Sequence, residues 1–311
     1  RPPSRGRACA TARSSPRGDT LRRMTLPVLF GANVDPLWQP ADLPVRHALE
    51  AERLGLDLVT IQDHPYQAAF YDTWTLLTYL AGRTERVTFV PTVATLPLRP
   101  PAVLAKSAAT LDLLTGGRVQ LGLGAGAFWD AIVAMGGPRR TPAEAVAALE
   151  EAIAVIRAMW SGERSIKVEG EHYRVAGLHP GPPPSPGLGI WLGAYGPRML
   201  ALTGAAADGW LPSHAFLGVD ELPVAIARID DAAHAAGRDP THLRRVYNIS
   251  GLIGPETSEP FRGSVEQWTD QLLAVHALGM NGFVFWPADD HERQLGRFAQ
   301  EVVPAVRAAL G

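Results

Sequence analysis

The chain has 311 residues, 46% hydrophobic and 19% charged, with a formal net charge of −2 at pH 7. That is long enough for one large α/β barrel or two modest domains, each with a buried core. No apolar run approaches the roughly 20 residues of a membrane-spanning helix, because charges, Pro or Gly interrupt the richest stretches, so no membrane span is expected.

Residues 1–23, "RPPSRGRACATARSSPRGDTLRR", hold Arg, Pro, Ser and Gly without apolar periodicity and lack the apolar core of a secretory signal. They read as a disordered tail, and Met24 reads as the start of a single folded domain over 24–311; the tail reads as an upstream extension of the reading frame, with a basic targeting or interaction tail as the alternative. Setting the tail aside leaves a formal charge of −8 on residues 24–311, which argues against nucleic acid as partner. The one cysteine, Cys9, lies in the tail. The folded body is therefore expected to use no disulfide, thiolate or cysteine–metal chemistry, which fits a reducing cytoplasm.

From Met24 the chain alternates short apolar runs with helical patterns: "PVLFGANV", "LPVRHALEAERLG", "LDLVTIQDH", "WTLLTYLAGR", "RVTFVPTVA", "AVLAKSAATLDLLTGGR" and "VQLGLGAG". Such alternation builds a parallel sheet covered by helices, and strands buried on both faces read as continuous apolar runs. A long helix, Pro142 to Trp160, then precedes a hairpin-like insertion, "SIKVEGEHYRV", and a stiff linker, "HPGPPPSPGLG". "IWLGA", "DGWLPS", "RRVYNISGLIG" and "NGFVFWPA" follow as strands between helices, and a last helix runs from Asp290 to about Ala309. Eight strands, starting near Val28, Leu58, Val87, Val119, Ile190, Gly209, Val246 and Gly282, predict a (β/α)₈ barrel, the TIM-barrel class.

In such a barrel the chemistry sits where strands end at their carboxyl side. Those positions read Asn33-Val34-Asp35, Asp63-His64, Thr92-Val93-Ala94, Gly124-Ala125-Gly126, Ala194-Tyr195-Gly196, Pro212-Ser213-His214, Ser250-Gly251 and Trp286-Pro287. Asp63-His64 is the one acid–imidazole pair directly at a strand end. It is either a hydrogen-bonding and proton-exchanging pair, or a loop cap beside a packed ring. No His-x-x-x-His or similar spacing points to a metal. "LGLGAGAF" lacks the last glycine of a dinucleotide fingerprint; Gly124 and its neighbours serve either close approach to a flat ring or tight barrel packing. "PTVATLPLRPP" fits a bulge at Thr92 and Val93. Trp38, Phe70, Tyr195, Trp210 and Trp286 lie near strand ends, as walls for a planar ligand or as scattered core rings. In "LGAYGPRMLALTG", a Gly-Pro turn opens a helix whose first N–H groups have no internal partners, a place for an anion.

With these residues assembled, the chain from Met24 onward resembles the bacterial luciferase-like family of flavin- and F420-dependent oxidoreductases. The resemblance is carried by "AERLGLDLVTIQDHPY", "PAVLAKSAATLDLLTGGRVQLGLGAG", "AIAVIRAMWSG", "EGEHYRV", "IWLGAYGPRMLALTGAAADGW" and "LGMNGFVFW", in family order. It implies that Tyr195, Gly196, Pro197 and Arg198 hold the cofactor phosphate, and that Thr92-Val93 carries a non-proline cis peptide supporting the ring face. It further implies that Asn33, Gly124, Ala125 and Trp210 also contact the cofactor, and that His64, with Asp63, acts at the reactive edge. The "DH" pair looks closest to the subgroup using coenzyme F420, with FMN as the other cofactor. A carboxylate proton donor found after the fourth strand in some F420-dependent sugar-phosphate dehydrogenases is absent from "GAGAFW". Lys106 and Lys167 are the only lysines, so an uncharged, apolar, small-molecule substrate is expected.

The activity so implied is hydride transfer or monooxygenation, with a possible separate flavin or F420 reductase and a homodimer as further expectations. Two other classes stand beside it. One is a flavin-binding protein without turnover; the other is a cofactor-free or metal-dependent barrel hydrolase.

Overall fold

A computed structural model describes residues 26–311; the expected tail at 1–23, with Cys9, lies outside the described residues. The first half runs β1 (Leu29–Asn33), α1 (Leu43–Arg53), β2 (Leu58–Ile61), α2 (Thr73–Ala81), β3 (Thr88–Pro91), β4 (Ala94–Thr95), α3 (Pro101–Thr115), β5 (Leu121–Gly124), α4 (Trp129–Ala134) and α5 (Pro142–Trp160). Then come β6 (Ile166–Glu169), β7 (Arg174–Leu178), β8 (Ile190–Leu192), α6 (Pro197–Ala206), β9 (Gly209–Trp210), α7 (Leu222–Ala235) and β10 (Arg244–Ile253). β11 (Arg262–Gly263), α8 (Val265–Ala277), β12 (Gly282–Pro287), α9 (His291–Arg297) and α10 (Val303–Leu310) complete the chain.

Strand neighbours run β3-β2-β1-β12-β10-β9-β8-β5-β4, all parallel. The ring closes where Phe89 bridges Val119, with the Phe89 N–H donating to the Arg118 carbonyl and the Gln120 N–H to that of Phe89. β3 and β4 are two halves of one stave broken at Thr92-Val93, so the sheet is the expected eight-stave barrel. Every strand begins within a few residues of the position read from the sequence.

Alternation along the strands separates two apolar layers, as the two-residue side-chain period requires. Leu58, Val90, Trp191, Leu211, Val246 and Val284 fill the barrel interior, while Phe30, Val59, Phe89, Tyr247, Phe283 and Phe285 belong to the layer under the helices. Each such ring or aliphatic chain removed from water contributes about 1.5–3 kcal/mol. Because both faces are buried, the strands are continuous apolar runs.

Local sequence explains the element ends. α5 starts at a capping box, Thr141 and Glu144 exchanging hydrogen bonds with each other's backbone around Pro142. The inserted hairpin β6–β7 is held to α5 by Glu151, whose carboxylate accepts the N–H groups of Glu171, His172 and Tyr173 at 2.8–2.9 Å. The expected last helix is two helices joined by a π-helical turn, Phe298–Val302. Pro304 has no N–H for the carbonyl four residues back, and the wider turn accommodates that gap.

α1 meets the start of α9 through two histidines. The rings of His47 and His291 stack with centroids 3.7 Å apart and planes within 4°. His47 Nδ1 and His291 Nε2 are buried without a hydrogen-bond partner among the described residues. Burial lowers both pKa values, and for His291 burial together with neighbouring His47 brings it down to about 4. An unfolded histidine titrates near 6.5, so between pH 6.5 and about 4 the unfolded chain binds more protons and stability is lost as pH falls. His291→Phe, which keeps a ring in the stack, should flatten the fall in melting temperature across that window relative to the parent. Superimposable pH profiles would show that the stack does not titrate.

Candidate active site at the carboxyl mouth of the barrel

At the top of the barrel the inward positions turn from apolar to polar. Thr60 donates to Asn33 Oδ1 at 3.3 Å, and Asn33 Nδ2 donates to Asp35 at 3.3 Å. Gln62 Nε2 and Trp286 Nε1 donate to the same Asp35 carboxylate at 2.7 and 3.2 Å. One acid thus collects donors from the ends of β1, β2 and β12, giving a polar row above an apolar plug.

Asp63 follows β2 and is 1% exposed. Its Oδ2 accepts the Thr95 N–H at 2.8 Å, and Arg99 grips the carboxylate with two bonds, Nε at 2.8 Å and Nη2 at 2.7 Å. The Thr95 hydroxyl donates back to the Asp63 carbonyl at 2.6 Å. Arg99 Nη2 also binds Asp72 at 2.6 Å, and Asp72 caps α2 by accepting the Thr75 N–H at 2.9 Å. Burial alone would lower the Arg99 pKa, but the two carboxylates outweigh it and the net shift is upward. Burial pushes Asp72 up, while Arg99 and Thr75 pull it below the usual carboxylate range. Asp63, paired with His64 by sequence adjacency, is thus committed to Arg99 and Thr95, and its carboxylate does not reach the mouth.

His64 is half-buried, with Nδ1 2.8 Å from Tyr66 Oη. Phe128 meets its ring edge-on at 5.4 Å, and Phe70 lies tilted at 6.5 Å. Burial lowers its pKa against an opposing pull from Asp63, favouring the neutral ring. Burial also pushes the Tyr66 phenol up to about 12, with Asp63 acting in the same direction.

Across the mouth, the Thr92-Val93 peptide is cis and the Thr92 N–H donates to the Ile61 carbonyl at 2.8 Å. The Val93 side chain projects into the space that side chains at Gly124 and Gly193 would need: a Cβ on Gly124 would stand 2.5 Å from Val93 Cγ2, and one on Gly193 3.2 Å. Gly124 therefore accepts only glycine if Val93 is to stay in place, and a side chain at Gly193 would push Val93 by a few tenths of an ångström. Ala125 sits half-buried beside them. Beyond β8, Tyr195, Gly196, Pro197 and Arg198 are exposed, Pro197 opens α6, and Gly196 at the N-cap offers no side-chain cap. Arg198 makes no ion pair among the described residues. Tyr195 Oη accepts the Ser213 N–H at 3.2 Å.

Trp210 departs from expectation. It is fully buried in the layer under the helices, with Nε1 donating to the Ala194 carbonyl at 2.9 Å. Its place on β9 points the indole outward, so it braces the strand behind Tyr195. Conversely, Arg99, Thr95, Gln62, Tyr66 and Phe128 belong to the site without having been singled out as site residues. A lone arginine amid the prolines of "LPLRPP" was the one visible signal for Arg99.

The profile of the luciferase-like monooxygenase family matches residues 24–278. The chain belongs to this family. Among curated relatives it is 34% identical over 248 residues to a phthiodiolone/phenolphthiodiolone dimycocerosates ketoreductase of Mycobacterium kansasii, a match spanning 77% of this chain and 65% of that protein. It is 33% identical to an F420-dependent glucose-6-phosphate dehydrogenase of Amycolatopsis mediterranei, over 86% of this chain and 95% of the relative. An F420-dependent secondary alcohol dehydrogenase, solved with an F420–acetone adduct, superposes with a TM-score of 0.81 at 19% identity, covering 91% of this chain and all of that one, and so shares the fold. Among the described residues no group of three or more His, Cys, Asp or Glu could hold a metal, and no helix is long and apolar enough to cross a membrane.

Arg99→Met would strand the buried Asp63 carboxylate and should cost about 3–5 kcal/mol of unfolding free energy in urea titrations. Asp63→Asn should cost less, since Arg99 keeps Asp72; equal losses would show that Asp72 holds nothing.

Proposed function

We propose that the protein is an oxidoreductase that binds coenzyme F420, or FMN in its place, at the barrel mouth and acts on a neutral, apolar organic substrate. The observation that carries this is the open start of α6. Gly196 leaves free space where a Cβ would stand and the helix has no side-chain cap, so the first-turn N–H groups and the positive end of the dipole fit a phosphate. Pro197 sacrifices no hydrogen bond there. Arg198 adds a cation with no ion-pair partner among the described residues. The floor made by Val93 over Gly124 and Gly193 fits the face of a flat ring, with Thr92 and Ala125 beside it and the Asn33–Asp35–Gln62–Trp286 row as polar partners.

When bound, the reduced cofactor supplies a hydride. The chain's own residues orient and exclude water. Phe70 and Phe128 shield His64, and the neutral imidazole exchanges or shares a proton with the substrate. Asp63 acts through Arg99 and Thr95 by fixing the loop that bears His64.

The mouth loops carry exposed Trp38, Phe128, Met135 and Phe216, which suit an apolar substrate. The two lysines are engaged elsewhere, Lys106 on the Gly181 carbonyl and Lys167 with Glu169, so nothing recommends a sugar phosphate despite one relative's activity. The reading extends to a homodimer and a separate reductase, both taken from the family likeness, and to a cytoplasmic setting, taken from the placement of the one cysteine outside the folded body.

Parallel calorimetric titrations with F420 and FMN, each oxidised and reduced, test the proposal. F420 should bind in preference, and Gly196→Asp, which places a carboxylate at the helix start, should weaken binding by about tenfold or more while leaving the fold intact. Preference for reduced FMN would shift the reading to monooxygenation; binding of neither would overturn it. With a hydride acceptor in hand, His64→Ala should lower turnover, and an unchanged rate would remove His64 from the reaction.

A further inference from the structure

We infer that Tyr66 donates its hydroxyl hydrogen to His64 Nδ1, holding the imidazole in the tautomer whose Nε2 carries the hydrogen and so presenting an N–H donor to a carbonyl-type or imine-type substrate. This rests on the reading of the mouth as the reaction site.

The geometry limits the choices. His64 Nδ1 and Tyr66 Oη are 2.8 Å apart, and neither atom has another hydrogen-bond partner among the described residues. One hydrogen lies between them. A phenol is a strong donor and a poor acceptor, whereas the imine nitrogen of a neutral imidazole is a strong acceptor, so the O–H···N arrangement is favoured over N–H···O. The phenol keeps its hydrogen, since burial pushes its pKa up to about 12. The imidazole stays neutral, since burial lowers its own.

The charged group acting on His64 is Asp63, which is paired with Arg99, and the other rings packed on it, Phe70 and Phe128, are neutral. Nε2 has no hydrogen-bond partner among the described residues. A donor there polarises a C=O or C=N bond toward hydride addition at carbon. The loop after β5 offers no acid to do so: Ala125, Ala127 and Phe128 stand in that stretch. Tyr66 is thus a positioning residue, acting through His64.

The test is magnetic resonance on the cofactor-free protein with ¹⁵N- and ¹³C-labelled histidine, His64→Gln assigning one signal among nine histidines. At neutral pH the His64 Nδ1 resonance should be that of an unprotonated nitrogen accepting a hydrogen bond, upfield of a free imine nitrogen. Tyr66→Phe should move it off that position, to the average of the two tautomers that the released ring samples. The same variant should raise the His64 pKa by about one unit, because it removes a bond made only by the neutral ring. A protonated Nδ1 in the parent, or a pKa that falls or stays fixed in Tyr66→Phe, overturns the inference. If the variant does not fold, the parent's Nδ1 shift decides alone. Neither readout uses F420 or FMN, so a failed cofactor titration leaves this result standing and the two ideas fail separately.

Discussion

The mouth depends on one guanidinium. Arg99 binds Asp63 at the end of β2 and Asp72 at the start of α2, and so holds both ends of the loop that carries His64, Tyr66 and Phe70. A buried ion pair is stabilising only when geometry is good and the remaining lone pairs are satisfied. Here the grip on Asp63 is bidentate, Thr95 supplies another donor, and Asp72 doubles as a helix cap. A lysine could not do the same, having one point charge where two carboxylates and a planar fork are needed.

The barrel then sets what faces that loop. Because β3 and β4 are halves of one stave, the break between them brings Thr95 to Asp63 on one side and Val93 to Gly124 and Gly193 on the other. The proposed proton-exchanging side and the proposed ring seat are therefore positioned by one short segment, 92–95. The proposed anion seat is independent of it, being the start of α6, braced from behind by Trp210 on the Ala194 carbonyl.

The fold was largely legible because its signals are local. Apolar runs alternated with helical periods, and Gly-Pro marked the start of α6. Strand-end positions then followed from barrel geometry, which is why Asn33, His64, Thr92-Val93 and Gly196-Pro197 lie where they were sought. What was not legible depends on long-range partners. Adjacency in sequence made Asp63 look like the partner of His64, whereas its real partner lies 36 positions away. Trp210 sits on a strand of two residues, where one step of register decides between mouth and outer layer. The stack of His47 on His291 joins residues from nearly opposite ends of the chain, and no spacing announces it.

The clamp on both ends of the 63–72 loop also bears on how such proteins diversify. Only the terminal carboxylates, Asp63 and Asp72, are tied to Arg99; the residues between them contribute nothing to that grip. The interval is thus a segment with fixed terminals, held along its length to the loop after β1 by Trp38 on the Ala68 and Ala69 carbonyls and by the Tyr71 N–H on the Pro36 carbonyl. Side chains between the two terminals that make none of these bonds can change without loosening either end, because the arginine that fixes the ends lies outside the segment.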